Sequence, residues 1–260
     1  MLLGREPEQQ AIQVLLADAR AGRSGVLALV GEAGIGKSAL LEHAASLAGG
    51  MRVLRARGVA SETQIPFAGL FELLRPALDL LGRIPEPQST ALQGALALRP
   101  ARAGDRFAIG AATLSLLAAA ADERPTVVLV DDAHWLDAST SDALLFALRR
   151  LLAEPIAVVL TARQDERSLL DGADIPYLRL EGLDEAAATL LLRRVAPETD
   201  SVAAVRLHRE TGGNPLALLE LSGERLPELA PDAPVPVVTS VAQAYVDRAA
   251  ALPERARQAL

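Results

Sequence analysis

Three short runs of consecutive apolar residues stand out along the chain, at 26–30, 127–130 and 156–160. Continuous rather than alternating hydrophobicity over four or five residues marks strands buried on both faces. Residues 52–57 and 177–180 carry a weaker version of the same signal. Between these runs, apolar positions recur at helical spacing over 8–21, 37–48, 67–81, 105–121 and 139–152. Pro7, just before the first of these, sits where a first helical position tolerates a missing N–H. Strands alternating with helices predict right-handed crossovers, and hence an α/β fold whose parallel sheet is covered by helices.

Two stretches break the alternation. Residues 82–103, with Pro85, Pro87 and Pro100, read as an irregular insertion with room for one short helix. From 183 onward the pattern turns wholly helical, at 185–195, 202–211 and 215–222, which predicts an all-α subdomain. Pro227, Pro231, Pro234 and Pro236 then mark a linker. The predicted division is a core at 1–182, a helical lid at 183–225, a linker at 226–240, and at 241–260 the start of a further domain cut short.

Composition narrows the function classes. A chain of 260 residues, half of them hydrophobic, can bury a sizeable core. Its net charge of −7 argues against the basic footprint of a nucleic-acid-binding domain. Cysteine is absent, which excludes disulfides and thiol chemistry and suits a reducing compartment. The longest apolar stretch, 109–121, is interrupted by Gly110, Thr113 and Ser115 and is shorter than the ~18 residues that a membrane span needs. With no basic leader followed by an apolar run at the N-terminus, the expectation is a cytoplasmic protein with no membrane partner. Of 26 basic residues a single one, Lys37, is lysine. A compact ammonium is kept at one place, and Arg does not substitute for it among phosphate oxygens.

That lysine sits in Gly31-Glu32-Ala33-Gly34-Ile35-Gly36-Lys37-Ser38, the pattern G-x-x-x-x-G-K-[ST], directly after one apolar run and directly before a helix. The glycines let backbone N–H groups converge on phosphate oxygens, and the helix N-terminus adds partial positive charge. The motif predicts a P-loop NTPase that binds ATP or ADP through Glu32, Ala33, Gly34, Ile35, Gly36, Lys37, Ser38 and Ala39. Lys37 reaches the phosphates and the Ser38 hydroxyl ligates Mg²⁺.

The run at 127–130 ends in Asp131-Asp132, the layout of a strand that delivers one carboxylate to the metal and a second to the attacking water. Asp131 is the expected metal residue and Asp132 the expected catalytic one. Aspartate is shorter than the glutamate more usual at the second position, which predicts slow turnover. The neighbouring His134 and Trp135 read as packing elements, with a γ-phosphate contact by His134 the other reading. A third strand tip carries Arg163. In a five-stranded sheet of order 5-1-4-3-2, this strand lies between the other two, so Arg163 is placed to stabilise phosphate charge.

Taken in order, Leu2-Leu3-Gly4-Arg5-Glu6, the phosphate loop, the run 127–137 and Gly212-Gly213-Asn214-Pro215-Leu216-Ala217-Leu218 resemble the signal-transducing STAND ATPases. The similarity is to the N-terminal ATPase module of the large ATP-binding LuxR-type transcriptional regulators, and covers residues 1 to about 225. It implies that Leu3, Gly4 and Arg5 pass over the adenine and that Pro215 contacts the nucleotide from the lid. It also implies a winged-helix-like segment from 241, nucleotide-dependent self-association, and DNA binding only through a C-terminal domain outside this chain.

Other P-loop classes fit less well. A GTPase needs an Asn/Thr-Lys-x-Asp segment, and there is no second lysine. A small-molecule kinase needs a mobile Arg-rich lid, whereas the segment after 183 offers only Arg193 and Arg194 together. The serious contest is between an oligomeric AAA+ motor and a slowly hydrolysing switch. A motor requires an Arg finger donated between subunits, for which Arg149, Arg150 and Arg167 are candidates without a distinguishing pattern.

Overall fold

The computed structural model describes residues 2–99, 106–163 and 174–224. The described residues group into two compact units, one within 6–31 and 37–179, the other within 2–5, 32–36 and 180–224.

The larger unit is built on a five-stranded parallel sheet: β1 (Gly25–Val30), β2 (Arg52–Arg57), β3 (Thr126–Asp131), β4 (Ile156–Ala162) and β5 (Tyr177–Arg179). The order across it is β2-β3-β4-β1-β5, the order expected from the sequence. β3 and β4 are buried along almost their whole length, as central strands covered on both faces must be. β2 lies at an edge, burying Leu54 and Ala56 while Arg55 and Arg57 face outward, which is why its sequence signal is weak.

One sheet face carries α3 (Ala68–Leu74), α4 (Glu86–Ala95), α5 (Arg106–Glu123) and α6 (Ala138–Leu148) over a continuous apolar core that includes Leu70, Leu73, Leu116, Leu117 and Leu144. α1 (Glu6–Arg20) packs against β1 and β4, and α2 (Lys37–Leu47) against β3 and β4.

Three expectations are corrected here. The helix expected over 67–81 is α-helical only to Leu74 and continues as a 3-10 helix, Arg75–Arg83. Pro76 causes the change, since it lacks the N–H that an α-turn needs at that point. As far as it is described, the stretch 82–103 is less irregular than expected and forms the short helix for which the sequence left room. It holds α4, whose Pro87 occupies the first turn, and it contributes Ile84, Leu92 and Leu96 to the core. The helix expected to reach 152 ends at Leu148.

The smaller unit contains α7 (Glu185–Val195), α8 (Ser201–Thr211) and α9 (Pro215–Glu224). Asp184 and Asp200 accept from the third N–H of α7 and α8, at 2.7 Å each, and so cap both helices. Leu183, Ala188, Leu192, Ala204, Leu207 and Leu218 form its core, with Leu3 packed against it. The segments read as linker and winged-helix-like start, 226–260, lie outside the described residues. Among the described residues, no helix is long and apolar enough to cross a membrane.

Candidate functional site

Parallel strands bring their C-terminal ends to one edge of the sheet. β4 sits between β1 and β3, with Val30 opposite Ala162 and Val130 opposite Leu160. Residues 31, 131 and 161–163 are therefore gathered although they are far apart in sequence.

The phosphate loop leaves β1 at Gly31, whose N–H donates to Ala162 O at 3.3 Å. Gly34 and Gly36 have φ of +76° and +104°, backbone that side-chained residues rarely adopt. Lys37 begins α2 and is only 7 % exposed; its ammonium donates to Gly31 O at 2.9 Å, which curls its stem back along the loop. Ser38 and Ala39, in the same first turn, are exposed.

At the neighbouring tip, the Ser38 hydroxyl lies 2.8 Å and 3.1 Å from the two oxygens of Asp131. The same carboxylate accepts a 2.6 Å hydrogen bond from Thr161 Oγ1 on β4. Thr161 also accepts from the Asp132 N–H at 2.8 Å. One fully buried hydroxyl thus fixes both acidic residues of β3. Sequence reading passed over Thr161, because a threonine in an apolar run looks like ordinary β-branched filling.

Asp132 has φ +48° and ψ +46°, a left-handed conformation that short polar residues tolerate. Its carboxylate lies 3.6 Å from Arg57 Nη2 at the tip of β2. The turn is held against β2 at close range: Gly58 N–H donates to Asp131 O at 2.8 Å, and a Cβ on Gly58 would stand 2.1 Å from Asp132 O.

His134 and Trp135 follow in a short 3-10 turn, with their ring centroids 5.2 Å apart. Arg163 ends β4 with its guanidinium 5.9 Å from the centre of the Trp135 ring, within range of a cation–π contact. Asp137 caps α6 and is buried; its carboxylate accepts from Thr140 N at 2.8 Å, Thr140 Oγ1 at 2.5 Å and Phe67 N at 2.8 Å. It ties the turn after β3 to the start of α3, a structural duty.

Leu3, Gly4, Arg5 and Pro215 fall in the smaller unit. Arg5 is 6 % exposed and one of its nitrogens donates to Ile35 O at 2.9 Å and to Glu181 O at 2.7 Å. Gly4 has φ +61°, and Pro215 opens α9 immediately after Asn214. The candidate finger Arg150 is engaged locally, with its guanidinium 3.7 Å above the Phe146 ring and a 3.0 Å bond to Phe146 O. Arg167 lies outside the described residues.

A family profile described as AAA ATPase domain matches residues 1–161. An uncharacterized protein of Rhizobium meliloti (strain 1021) is 29 % identical over 256 residues, covering 85 % of this chain. The chain spans only 24 % of that relative's length. Among solved structures, a Pyrococcus horikoshii signal transduction ATPase with numerous domains, bearing a tetratricopeptide repeat sensor, superposes with a TM-score of 0.52 and 18 % identity. It covers 93 % of this chain and 32 % of its own. RuvB of Thermotoga maritima gives a TM-score of 0.50 at 15 % identity, covering 85 % of this chain and 62 % of its own. Drosophila ORC bound to DNA gives 0.52 at 16 %, covering 85 % of this chain and 54 % of its own. These likenesses show the fold: a P-loop ATPase sheet flanked by helices. On the profile match over more than half its length, the chain belongs to the AAA ATPase domain family.

Proposed function

We propose that the chain is the nucleotide-dependent switch module of a larger, signal-responsive transcriptional regulator, binding ATP or ADP and hydrolysing ATP slowly. The observation that carries the reading is the meeting of Ser38 and Asp131, 93 residues apart, within 2.8 Å at the end of a glycine loop that begins a helix. The residues fit a magnesium nucleotide. Hydroxyl and carboxylate oxygens are hard donors, and one of each suffices for an ion that takes its other ligands from phosphates and water. Among the described residues there is no cluster of three or more His, Cys, Asp or Glu.

Glu32, Ala33, Gly34, Ile35, Gly36, Lys37, Ser38 and Ala39 would hold the phosphates, and Leu3, Gly4, Arg5 and Pro215 the adenine side. Ser38 and Asp131 would hold Mg²⁺, which when bound neutralises charge on the phosphoryl oxygens. Lys37 and Arg163 supply fixed positive charge for the transferred group. Asp132 orients the attacking water. The shortness of Asp132, whose carboxylate lies 3.6 Å from Arg57 Nη2, supports slow turnover.

Of the candidate fingers, Arg150 is engaged with Phe146, which supports the switch reading over the motor. The 24 % span of the relative suits a module within a longer regulator, with DNA contacted through a C-terminal domain outside this chain. The predicted division into core, lid, linker and winged-helix-like start, and the cytoplasmic setting, belong to the same proposal. Nucleotide can govern lid opening and self-association only by its differential affinity for the two states.

The test is calorimetry and light scattering on the wild-type chain and Lys37→Ala. Lys37→Ala should bind ATP at least about 100-fold more weakly, as expected when a buried charge partner of the phosphates is removed. Wild type should form larger species with a slowly hydrolysed ATP analogue than with ADP. Unchanged ATP affinity in Lys37→Ala overturns the phosphate assignment, and a monomer with both nucleotides overturns the switch.

A further inference from the structure

The tip of the phosphate loop, Glu32–Gly36, belongs to the same compact unit as α7–α9. Three successive loop carbonyls are engaged there. Ala33 O accepts from the Asn214 side-chain amide at 2.9 Å, Gly34 O from the Leu216 N–H at 3.3 Å, and Ile35 O from Arg5 at 2.9 Å.

In a trans peptide the C=O of one residue and the N–H of the next point in opposite directions. Fixing Ala33 O therefore fixes the Gly34 N–H, and fixing Ile35 O fixes the Gly36 N–H, each turned away from its anchor. The N–H between them, that of Ile35, closes the loop's own turn onto Glu32 O at 3.4 Å. The Gly34 and Gly36 amides are thus aimed by side chains outside the loop.

Asn214 is suited to this by its two-ended amide. It is 6 % exposed, and its Oδ1 accepts from Leu216 N at 3.1 Å and Ala217 N at 3.4 Å, capping α9. Because the oxygen faces these donors, the nitrogen must face Ala33 O. The contact is close-packed as well: a Cβ on Gly34 would stand 2.7 Å from Leu216 Cβ.

We propose that Asn214 is a positioning residue for nucleotide binding: it couples the N-terminus of α9 to the phosphate loop and aims the Gly34 N–H at the phosphates. The proposal rests on the phosphate-loop reading above. It assigns the geometry of this corner to the Asn214 amide rather than to Pro215, which has no N–H to offer.

Asn214→Ser and Asn214→Asp test it. Both residues cap helices about as well as asparagine, so α9 is retained. Serine is too short to reach Ala33 O, and aspartate presents an acceptor to an acceptor. Release of a fluorescent ADP analogue from the full chain should be about tenfold faster in both variants, with the urea midpoint close to wild type. In nucleotide-free protein, amide exchange over 33–37 should rise in both.

Wild-type release from Asn214→Ser overturns the proposal. Faster release from the aspartate variant alone does the same, by assigning the effect to charge. If the wild-type chain bound no ADP, the phosphate reading would fail. The coupling itself would then be decided by amide exchange in the free protein, and unchanged exchange over 33–37 would remove it.

Discussion

Replacing Thr161 by valine removes one hydroxyl from the acidic tip while keeping the shape of the side chain. The residue is completely buried on β4, so no large cavity opens and the strand stays filled. What is lost is a 2.6 Å hydrogen bond to the Asp131 carboxylate and a 2.8 Å acceptor for the Asp132 N–H. A hydrogen bond to a charged group contributes about 1.5–3 kcal/mol. Two features place the loss toward the lower end. Asp132 N–H keeps a 3.1 Å contact with Asp131 Oδ1, and the Asp131 carboxylate keeps Ser38. Half-buried Asp131 can also take up water. We expect a loss of about 2 kcal/mol, read as a lower urea midpoint at unchanged slope. A metal-holding carboxylate that is no longer fixed should also slow ATP hydrolysis by about 10- to 100-fold, since small misplacements at a reacting centre have effects of that order. ADP affinity should stay within about threefold. Thr161→Ser restores the hydroxyl and should recover both properties. A Thr161→Val chain with wild-type midpoint and wild-type phosphate release would refute the idea that β4 holds the acidic tip of β3.

Two further substitutions address the same corner. Asp132→Asn is nearly isosteric and keeps the left-handed backbone, so nucleotide affinity should be retained while phosphate release slows by at least about tenfold; full turnover removes Asp132 from the catalytic role. Gly58→Ala forces a Cβ to within 2.1 Å of Asp132 O, backbone that has little freedom to yield. It should destabilise the chain by about 1–3 kcal/mol in denaturant unfolding, and a midpoint equal to wild type would show that the turn after β3 can move away.

The central strands were legible because burial on both faces leaves a chemical trace, a run without polar interruptions. β2 was faint because an edge strand buries only alternate residues, Leu54 and Ala56 here. α4 was legible only as room for a short helix because of its prolines, although Pro85 and Pro87 sit before and within its first turn, where a helix has spare N–H groups. The phosphate loop was legible because its glycines and its lone lysine are themselves the chemistry. Thr161 and Asn214 were not, for a common reason. Each acts on a residue far away in the chain, 30 positions for Thr161 and 181 for Asn214, and no local pattern encodes a hydrogen bond that depends on strand order or on packing of the helical unit.

The residue at position 132 shows how backbone and chemistry constrain each other. Gly58 brings β2 so close that the chain after Asp131 has little room, and the turn is made with φ +48° at the next residue. For L-residues that conformation costs about 1–2 kcal/mol, and it is visited mainly by glycine, asparagine and aspartate, whose short polar side chains bond locally. Glycine would have no carboxylate, and asparagine no charge for Arg57. A longer acid such as glutamate reaches further but visits this left-handed conformation less readily. Aspartate is therefore the residue that satisfies the turn while keeping a carboxylate at the strand tip. On this argument the proposed slow turnover is a consequence of how β2 and β3 pack, and a faster enzyme would need a different turn before it needed a different acid.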